Sequence, residues 1–206
     1  MERACLKYPV EAGFILMMDR RFSLEENEAI IEKAIKYRKR GVVGIDLAGP
    51  IKRTKNSHAF RPKDIKQIVK KARDYGLGVT VHTGEATNVE EMWEVIRELK
   101  PERIGHGIAC ITDKKLMKYL KDHKIVLETC PTSNMNTKLI KDFDEMRMVY
   151  RTLIENDILF TINTDGPEMQ LISLRKEYEK LLDNAILSKE ELLKANEIAH
   201  KASFIQ

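Results

Sequence analysis

Six short apolar runs alternate with longer, strongly charged segments, and this alternation restricts the fold more than any other feature of the sequence. The runs are rich in β-branched and other apolar residues, as expected of strands that are buried on both faces of a parallel sheet. They cover residues 12–18, 42–47, 78–81, 103–105, 125–129 and 158–162.

The segments between the runs carry the start and stop signals of amphipathic helices. Ser23 opens a capping-box pattern with Glu26, and Asn88 is followed at the same spacing by Glu91. Pro62 suits the first turn of a helix, where its missing N–H costs nothing. The predicted helices cover about residues 23–40, 62–75, 88–100, 113–122, 144–156, 168–182 and 188–201.

Strands that alternate regularly with helices predict an α/β architecture with a parallel sheet. A doubly wound nucleotide-binding sheet would carry a glycine-rich turn after an early strand, and the sequence has none. Chemically capable side chains instead follow nearly every run, and in a (β/α)8 barrel this end of the strands forms the active site. We therefore predict a TIM (β/α)8-type barrel in a single domain over residues 1–206, incomplete because about six of its eight strand–helix units are present.

The charge balance argues against several classes of function. The chain has 36 basic and 32 acidic residues, and the two signs are interspersed along the helical segments. This pattern is typical of solvated helix faces and not of a nucleic-acid-binding surface. No apolar run approaches the roughly 20 residues that span a bilayer, and residues 1–5 lack the order of a signal peptide. We expect a cytoplasmic protein with no nucleic-acid or membrane partner.

Two histidines and two carboxylates at the ends of the runs form the candidate site. Glu85 lies three residues after His82, His106 lies between two glycines, and Asp165 follows the last run. Imidazole and carboxylate groups bind zinc, and a separate carboxyl group can carry a proton. Each residue alone also has a structural interpretation, either as a packed histidine or as a helix cap. Together, at successive strand ends, they favour a metal site with an acid beside it.

A fifth polar residue, Asp46, interrupts the second apolar run. A carboxylate that is buried there must be paired or hydrogen-bonded. Asp46 is therefore either a residue that supports the site from behind or a structural polar anchor.

Five motifs resemble, in order and spacing, those of the adenosine deaminase family, and the match extends from about residue 12 to the C-terminus. The helix at residues 196–204 also resembles the closing helix of that family. The motifs are Val43-Gly-Ile-Asp-Leu-Ala-Gly49, Thr80-Val-His-Thr-Gly-Glu85, Arg103-Ile-Gly-His-Gly107, Glu128-Thr-Cys-Pro-Thr-Ser-Asn134 and Thr161-Ile-Asn-Thr-Asp-Gly-Pro167.

The resemblance implies a zinc-dependent barrel hydrolase that converts adenosine or deoxyadenosine and water into inosine or deoxyinosine and ammonia. On this resemblance, His82 and Asp165 would bind the zinc ion. Glu85 would donate a proton to purine N1, and His106 would orient and stabilise the attacking hydroxide. The backbone amide of Gly49 would meet purine N3.

Two departures from the family pattern affect this expectation. The family begins with a His-x-His pair that supplies two zinc ligands, whereas no two of the five histidines here lie one or two residues apart. We therefore expect the first barrel units and two zinc ligands to be missing from this chain, and the open sheet edges to favour self-association or a partner chain. The second departure is Gly166, which replaces an aspartate that often contacts purine N7 in the family.

These departures leave alternatives beside an aminohydrolase that is active as this truncated chain. One is a non-catalytic partial barrel that binds a purine nucleoside or a partner chain. Another is a deaminase that acts on adenine or on a modified adenosine, an alternative that Gly166 motivates.

Overall fold

A computed structural model describes residue 8, residues 10–50 and residues 60–205 of the chain. Each of the six apolar runs forms a strand, as the sequence predicts, and each described strand pair is parallel. The prediction that residues 1–5 are not a signal peptide lies outside the described residues. The strands are β1 (Phe14–Asp19), β2 (Val42–Ala48), β3 (Gly78–Thr83), β4 (Arg103–His106), β5 (Val126–Thr129) and β6 (Phe160–Ile162).

Helices occupy the charged segments between the strands, and their starts follow the predicted signals. Ser23 completes a capping box, the Asn88 side chain accepts from the Glu91 amide at 3.1 Å, and Pro62 is at the first turn of its helix. Ser188 also completes a capping box, which is not among the predicted signals. None of the described helices combines the length and the apolar composition that a membrane span requires. The helices are α1 (Leu24–Tyr37), α2 (Pro62–Asp74), α3 (Val89–Leu99), α4 (Lys114–Asp122), α5 (Pro131–Asn136), α6 (Phe143–Glu155), α7 (Pro167–Gln170), α8 (Leu174–Asp183) and α9 (Lys189–Lys201), with short 3-10 helices at Arg38–Arg40 and Ile108–Thr112.

The prediction from the sequence is wrong for one helical segment and misses another helix. The segment 168–182, predicted as one helix, is divided into α7 and α8. Leu171 adopts a left-handed backbone with φ 50°, which ends α7, and the Ser173 side chain caps α8 by accepting from the Lys176 amide. The short helix α5 was not predicted, and it begins directly after β5 with Pro131 in its first turn. Both differences lie next to the candidate site residues.

The described residues form two compact units, and the prediction of a single domain over residues 1–206 stays a prediction. The first unit draws on Met1–Val81, Glu94–Pro101 and Ser203–Gln206. In it β2 lies between β1 and β3, with Met17 opposite Asp46 and Ile45 opposite Val79. Helices α1 and α2 cover these strands, and apolar side chains between them form the core. Fully buried members of that core are Met18, Ile31, Ala34, Ile45, Leu47, Ile65, Val69, Ala72, Val79, Val81 and, from α3, Val95.

Phe204 closes the core of the first unit over two glycines. Gly44 and Gly78 are opposite each other on β2 and β3. A Cβ atom at Gly78 would lie 2.4 Å from Phe204 Cδ1, and one at Gly44 would lie 2.7 Å from Phe204 Cδ2. Since real Cβ contacts essentially never fall below 3.0 Å, both glycines are needed to admit the ring.

The second unit comprises His82–Trp93 and Glu102–Ala202 and contains β4, β5 and β6 in chain order. Arg103 is opposite Val126, and Leu127 is opposite Phe160. The last residues of β3 belong to this unit, where the Thr83 carbonyl accepts a hydrogen bond of 3.0 Å from the Gly107 amide. The strand ends that follow His82, His106, Thr129 and Ile162 therefore meet within one unit.

Candidate active site

His82 and Asp165 line one cavity of about 410 Å³ in the second unit. His82 is the penultimate residue of β3, and Asp165 lies three residues after β6. Between β6 and Asp165, the Asn163 amide donates to the Thr129 carbonyl at 2.9 Å and extends the pairing with β5. The cavity is also lined by Gly105, Glu128, Cys130 and Asn163. The carboxyl ends of the parallel strands thus bring together side chains that are 83 positions apart in the sequence.

Gly105 sets the position of the His82 ring. A Cβ atom built on Gly105 would lie 2.8 Å from His82 Cγ and Nδ1 and 2.9 Å from Cδ2. The imidazole therefore lies directly against the backbone of β4. Its ring centroid is 5.4 Å from that of His106, with the two rings inclined at 60°.

His106 is almost completely buried, and Asn134 fixes its ring. His106 Nδ1 lies 2.8 Å from Asn134 Oδ1. Because an amide oxygen only accepts hydrogen bonds, Nδ1 donates, and in the neutral ring Nε2 is left as an acceptor. Nε2 lies 3.7 Å from Glu85 Oε2. The backbone of His106 is left-handed, with φ 60°, at the end of a strand. Strained positions of this kind cluster at functional sites.

Glu85 extends from a tight loop that the sequence marks with glycine. Gly84 has φ 67°, and its amide donates to Thr87 Oγ1 at 2.7 Å. A Cβ atom at Gly84 would meet Met92 Sδ at 2.4 Å, so the loop can approach α3 only with glycine at this position. The Glu85 side chain is 30% exposed, which leaves its carboxyl group accessible to a ligand.

Asp165 is exposed and is held by a serine from α5. Ser133 Oγ donates to Asp165 Oδ2 at 2.7 Å. Like His106, Asp165 has a left-handed backbone, with φ 58°, at a strand end. One carboxylate oxygen is thus oriented by Ser133, and the group remains accessible from the cavity.

The donors present fit part of a zinc shell. His82 and Asp165 offer the nitrogen and oxygen ligands that zinc takes. Among the described residues, no three His, Cys, Asp or Glu side chains are grouped closely enough to hold a metal ion. A zinc ion held here would need further ligands from outside the described residues, since protein zinc sites have three or four protein ligands.

Two further predicted site residues, Asp46 and Gly49, belong to the first unit and lie in and just after β2. Asp46 is buried within the strand, opposite Met17. Gly49 has φ 94°, and a Cβ atom there would lie 2.5 Å from Asp19 Oδ1. Any other residue at Gly49 would therefore face both backbone strain and a clash.

Gly166, by contrast, has no structural need for glycine. Its φ is −99°, and a Cβ atom there would make ordinary contacts of 3.6–3.7 Å with Met169. The residue that follows Asp165 is therefore free to vary, and a side chain there is sterically allowed.

Sequence reasoning named His106 and Asp165 but missed Asn134 and Ser133, the residues that hold them. The available signal was the polar stretch 132–134, which begins three residues after the end of the buried strand β5. It belongs to one of the motifs of the family resemblance, but its side chains were assigned no role.

Parallel strands in chain order within each unit, followed by helices and with ligand-type side chains at the strand ends, define an incomplete TIM (β/α)8-type barrel. The sequence prediction of this fold class is confirmed. The chain belongs to the adenosine deaminase family, whose sequence model matches residues 1–206.

Individual relatives agree with this assignment. The chain is 38% identical over 189 residues to the adenosine deaminase of Vibrio cholerae, which covers 91% of this chain and 54% of that protein. It is similar, with a TM-score of 0.77 and 29% identity, to the N6-methyl-AMP deaminase from Arabidopsis thaliana, over 94% of this chain and 54% of that one. A zinc-bound amidohydrolase from Burkholderia ambifaria shares the fold, with a TM-score of 0.86 and 19% identity, over 100% of this chain and 56% of that one. The chain spans about half the length of the curated relatives it matches.

Proposed function

We propose that this chain carries the proton-transferring half of a zinc-dependent aminohydrolase that converts adenosine or deoxyadenosine into the corresponding inosine and ammonia. The observation that supports this most directly is the pairing of His106 and Glu85, whose facing atoms are 3.7 Å apart, close to the cavity of His82 and Asp165. An acid and an acceptor at such a separation leave room for a reacting group to interact with both.

Zinc would be held by His82 and Asp165 together with ligands from outside the described residues. When bound, zinc lowers the pKa of water towards about 7 and so supplies a nucleophile at neutral pH. Ser133 orients one oxygen of Asp165, and Gly105 holds the His82 ring in place. Groups that fix the ligands in this way commonly raise metal affinity.

Glu85 and His106 would handle the protons of the reaction. Glu85 gives a proton to purine N1, which makes C6 more electrophilic, and ammonia then leaves from C6. His106 donates from Nδ1 to Asn134 and so presents Nε2 as an acceptor for the water that attacks C6. The backbone amide of Gly49 would bind purine N3, and Asp46 would support the site from β2.

A related substrate is the second candidate function. Gly166 presents no side chain next to Asp165, and the similar Arabidopsis enzyme is a deaminase of N6-methyl-AMP. A deaminase of adenine or of a modified adenosine, free or as its nucleotide, would need a different contact at purine N7 or at the exocyclic nitrogen. A substrate panel of adenosine, deoxyadenosine, adenine and N6-methyl-AMP separates these possibilities.

We also propose that this chain self-associates or binds a partner chain through β1. Among the described residues β1 pairs only with β2, and its Phe14 and Met17 side chains are 48% and 51% exposed. A strand with one open edge and large exposed apolar side chains favours association. We further propose a cytoplasmic location, in agreement with the free and buried state of Cys110 and Cys130.

The first experiment measures the zinc content of the purified chain and its conversion of adenosine into inosine. Near one zinc per chain with turnover supports the proposal, whereas neither zinc nor turnover supports a non-catalytic partial barrel. In an active preparation, Glu85→Gln should lower turnover by about 10²–10⁴-fold and leave the zinc content unchanged. The exposed residue Glu90 offers the control Glu90→Gln, which should leave turnover unchanged. Retained turnover in Glu85→Gln would exclude its role as the acid.

A further inference from the structure

Glu177, on α8, is a completely buried carboxylate that the proposed reaction does not use. Burying a carboxylate is strongly unfavourable unless it is paired and hydrogen-bonded. Burial raises the pKa of Glu177, and hydrogen bonds from Thr132 oppose this increase. The unfavourable burial of this carboxylate must therefore be offset by specific contacts.

The contacts of Glu177 converge on a single residue of α5. Its Oε1 accepts from the Thr132 amide at 3.2 Å, and its Oε2 accepts from Thr132 Oγ1 at 2.9 Å. Lys180 Nζ donates to the same Thr132 hydroxyl at 2.6 Å, so a positive charge lies next to the buried carboxylate. Glu177 is therefore joined to Thr132 through both carboxylate oxygens.

Helix α5 needs this support because it lacks a cap of its own. The N-cap residue Cys130 makes no side-chain hydrogen bond to the helix. The first turn of any helix has amide groups without intrahelical partners, and a negative charge there is favourable. Glu177 satisfies one of these amides from a position 45 residues along the chain.

The next two residues of the same short helix hold the candidate site. Ser133 donates to Asp165 at 2.7 Å, and Asn134 accepts from His106 at 2.8 Å. Thr132, Ser133 and Asn134 are all buried. A rotation of α5 that changed one of their contacts would therefore also change the others. A shift of the first turn would move both partner side chains together.

We infer that Glu177 is a positioning residue: by capping α5 through Thr132, it keeps Ser133 and Asn134 in register with Asp165 and His106. Its effect on turnover rests on the proposed function, but its effect on the His106 ring does not. The inference predicts that the Glu177 side chain controls which nitrogen of His106 carries the proton, through its hydrogen bonds to α5.

The test compares Glu177→Ala and Glu177→Gln by ¹⁵N NMR of the histidine ring nitrogens, with the His106 signals identified from a His106→Asn variant. The parent protein should have the proton on Nδ1 of His106. Glu177→Ala should shift this signal towards a mixture of tautomers. Glu177→Gln should restore the parent signal, because its amide oxygen still accepts from the Thr132 N–H and its NH₂ group can donate to the hydroxyl.

The matched control is Leu181→Ala, which removes a fully buried side chain from the same helix but none of the hydrogen bonds that link Thr132 to Glu177 and Lys180. It should lower the stability of the protein but leave the His106 signal unchanged. If Glu177→Ala does not fold, Thr132→Val removes only the hydroxyl contacts and should cause a smaller shift of the same kind. An unchanged His106 signal in folded Glu177→Ala overturns the inference. If Glu177→Ala does not fold, an unchanged His106 signal in Thr132→Val overturns it. A shift of the His106 signal in Leu181→Ala as large as that in the Glu177 or Thr132 variant also overturns it.

Turnover provides a second, separate readout in an active preparation. Glu177→Ala should lower kcat by about 10–100-fold with little change in KM, as a small misplacement of catalytic groups does, and Glu177→Gln should stay within about threefold of the parent. If the parent lacks turnover, the proposed function fails on that result alone, and the His106 signal still decides whether Glu177 positions the ring.

Discussion

Replacement of Gly105 by alanine tests directly whether the backbone of β4 fixes the His82 ring. The added Cβ would lie 2.8 Å from His82 Cγ and Nδ1, so the ring must withdraw by about 0.6 Å to reach an ordinary contact of 3.4 Å. Overpacking in a well-packed region costs about 1–3 kcal/mol. We expect Gly105→Ala to lower the free energy of unfolding by this amount, and to weaken zinc binding because the proposed ligand His82 would move.

A double-mutant cycle measured by urea unfolding isolates this contact. With His82→Ala the clash is absent, and Gly105→Ala should then be neutral or stabilising by about 0.5–1 kcal/mol, because glycine is unfavourable within a strand. The two substitutions should therefore couple by at least about 1 kcal/mol. Additive effects, within about 0.5 kcal/mol, would refute the argument that the ring lies against Gly105.

Three further predictions concern the remainder of the chain. Gly78→Ala should destabilise the protein by about 1–3 kcal/mol in chemical denaturation, and this cost should disappear in a Phe204→Ala background, because the clash is with that ring. Gly166→Asp should change the free energy of unfolding by less than about 0.5 kcal/mol, since a side chain is sterically allowed there. If adenosine is the substrate, the same substitution should tighten adenosine binding, measured by calorimetry. Unchanged adenosine affinity would favour the alternative substrates. A hydrogen bond and ion pair with Arg21 lower the pKa of the buried Asp19 carboxyl below 3.8, so its stabilisation should be present at neutral pH and be lost as the pH falls from about 4 through the lowered pKa. The acid-induced loss of stability, followed by urea unfolding at each pH, should be smaller in Asp19→Asn.

The secondary structure could be predicted because its signals are local. Six apolar runs form six strands, and Ser23 and Asn88 cap helices as their neighbours in the sequence indicate. The error in segment 168–182 has a different origin. Leu171 takes a left-handed backbone that leucine rarely adopts, so no local preference marked the break.

Only part of the candidate site could be predicted from the sequence, for a related reason. His82, Glu85, His106 and Asp165 stand out because histidines and carboxylates at the ends of apolar runs are chemically conspicuous. Their supports do not stand out, because Asn134 and Ser133 are ordinary polar residues until their partners are known. Each of these partners lies 28 or 32 residues away along the chain.

The sequence by itself determined the order of strands and helices, the fold class and the residues able to bind a metal or move a proton, because these follow from residue chemistry and short-range periodicity. Only the tertiary structure decided that Asn134 fixes the His106 ring, that Gly105 leaves space for His82, and that Glu177 caps α5. These are contacts between distant segments, and their geometry arises only when the strand ends and the helices behind them pack together.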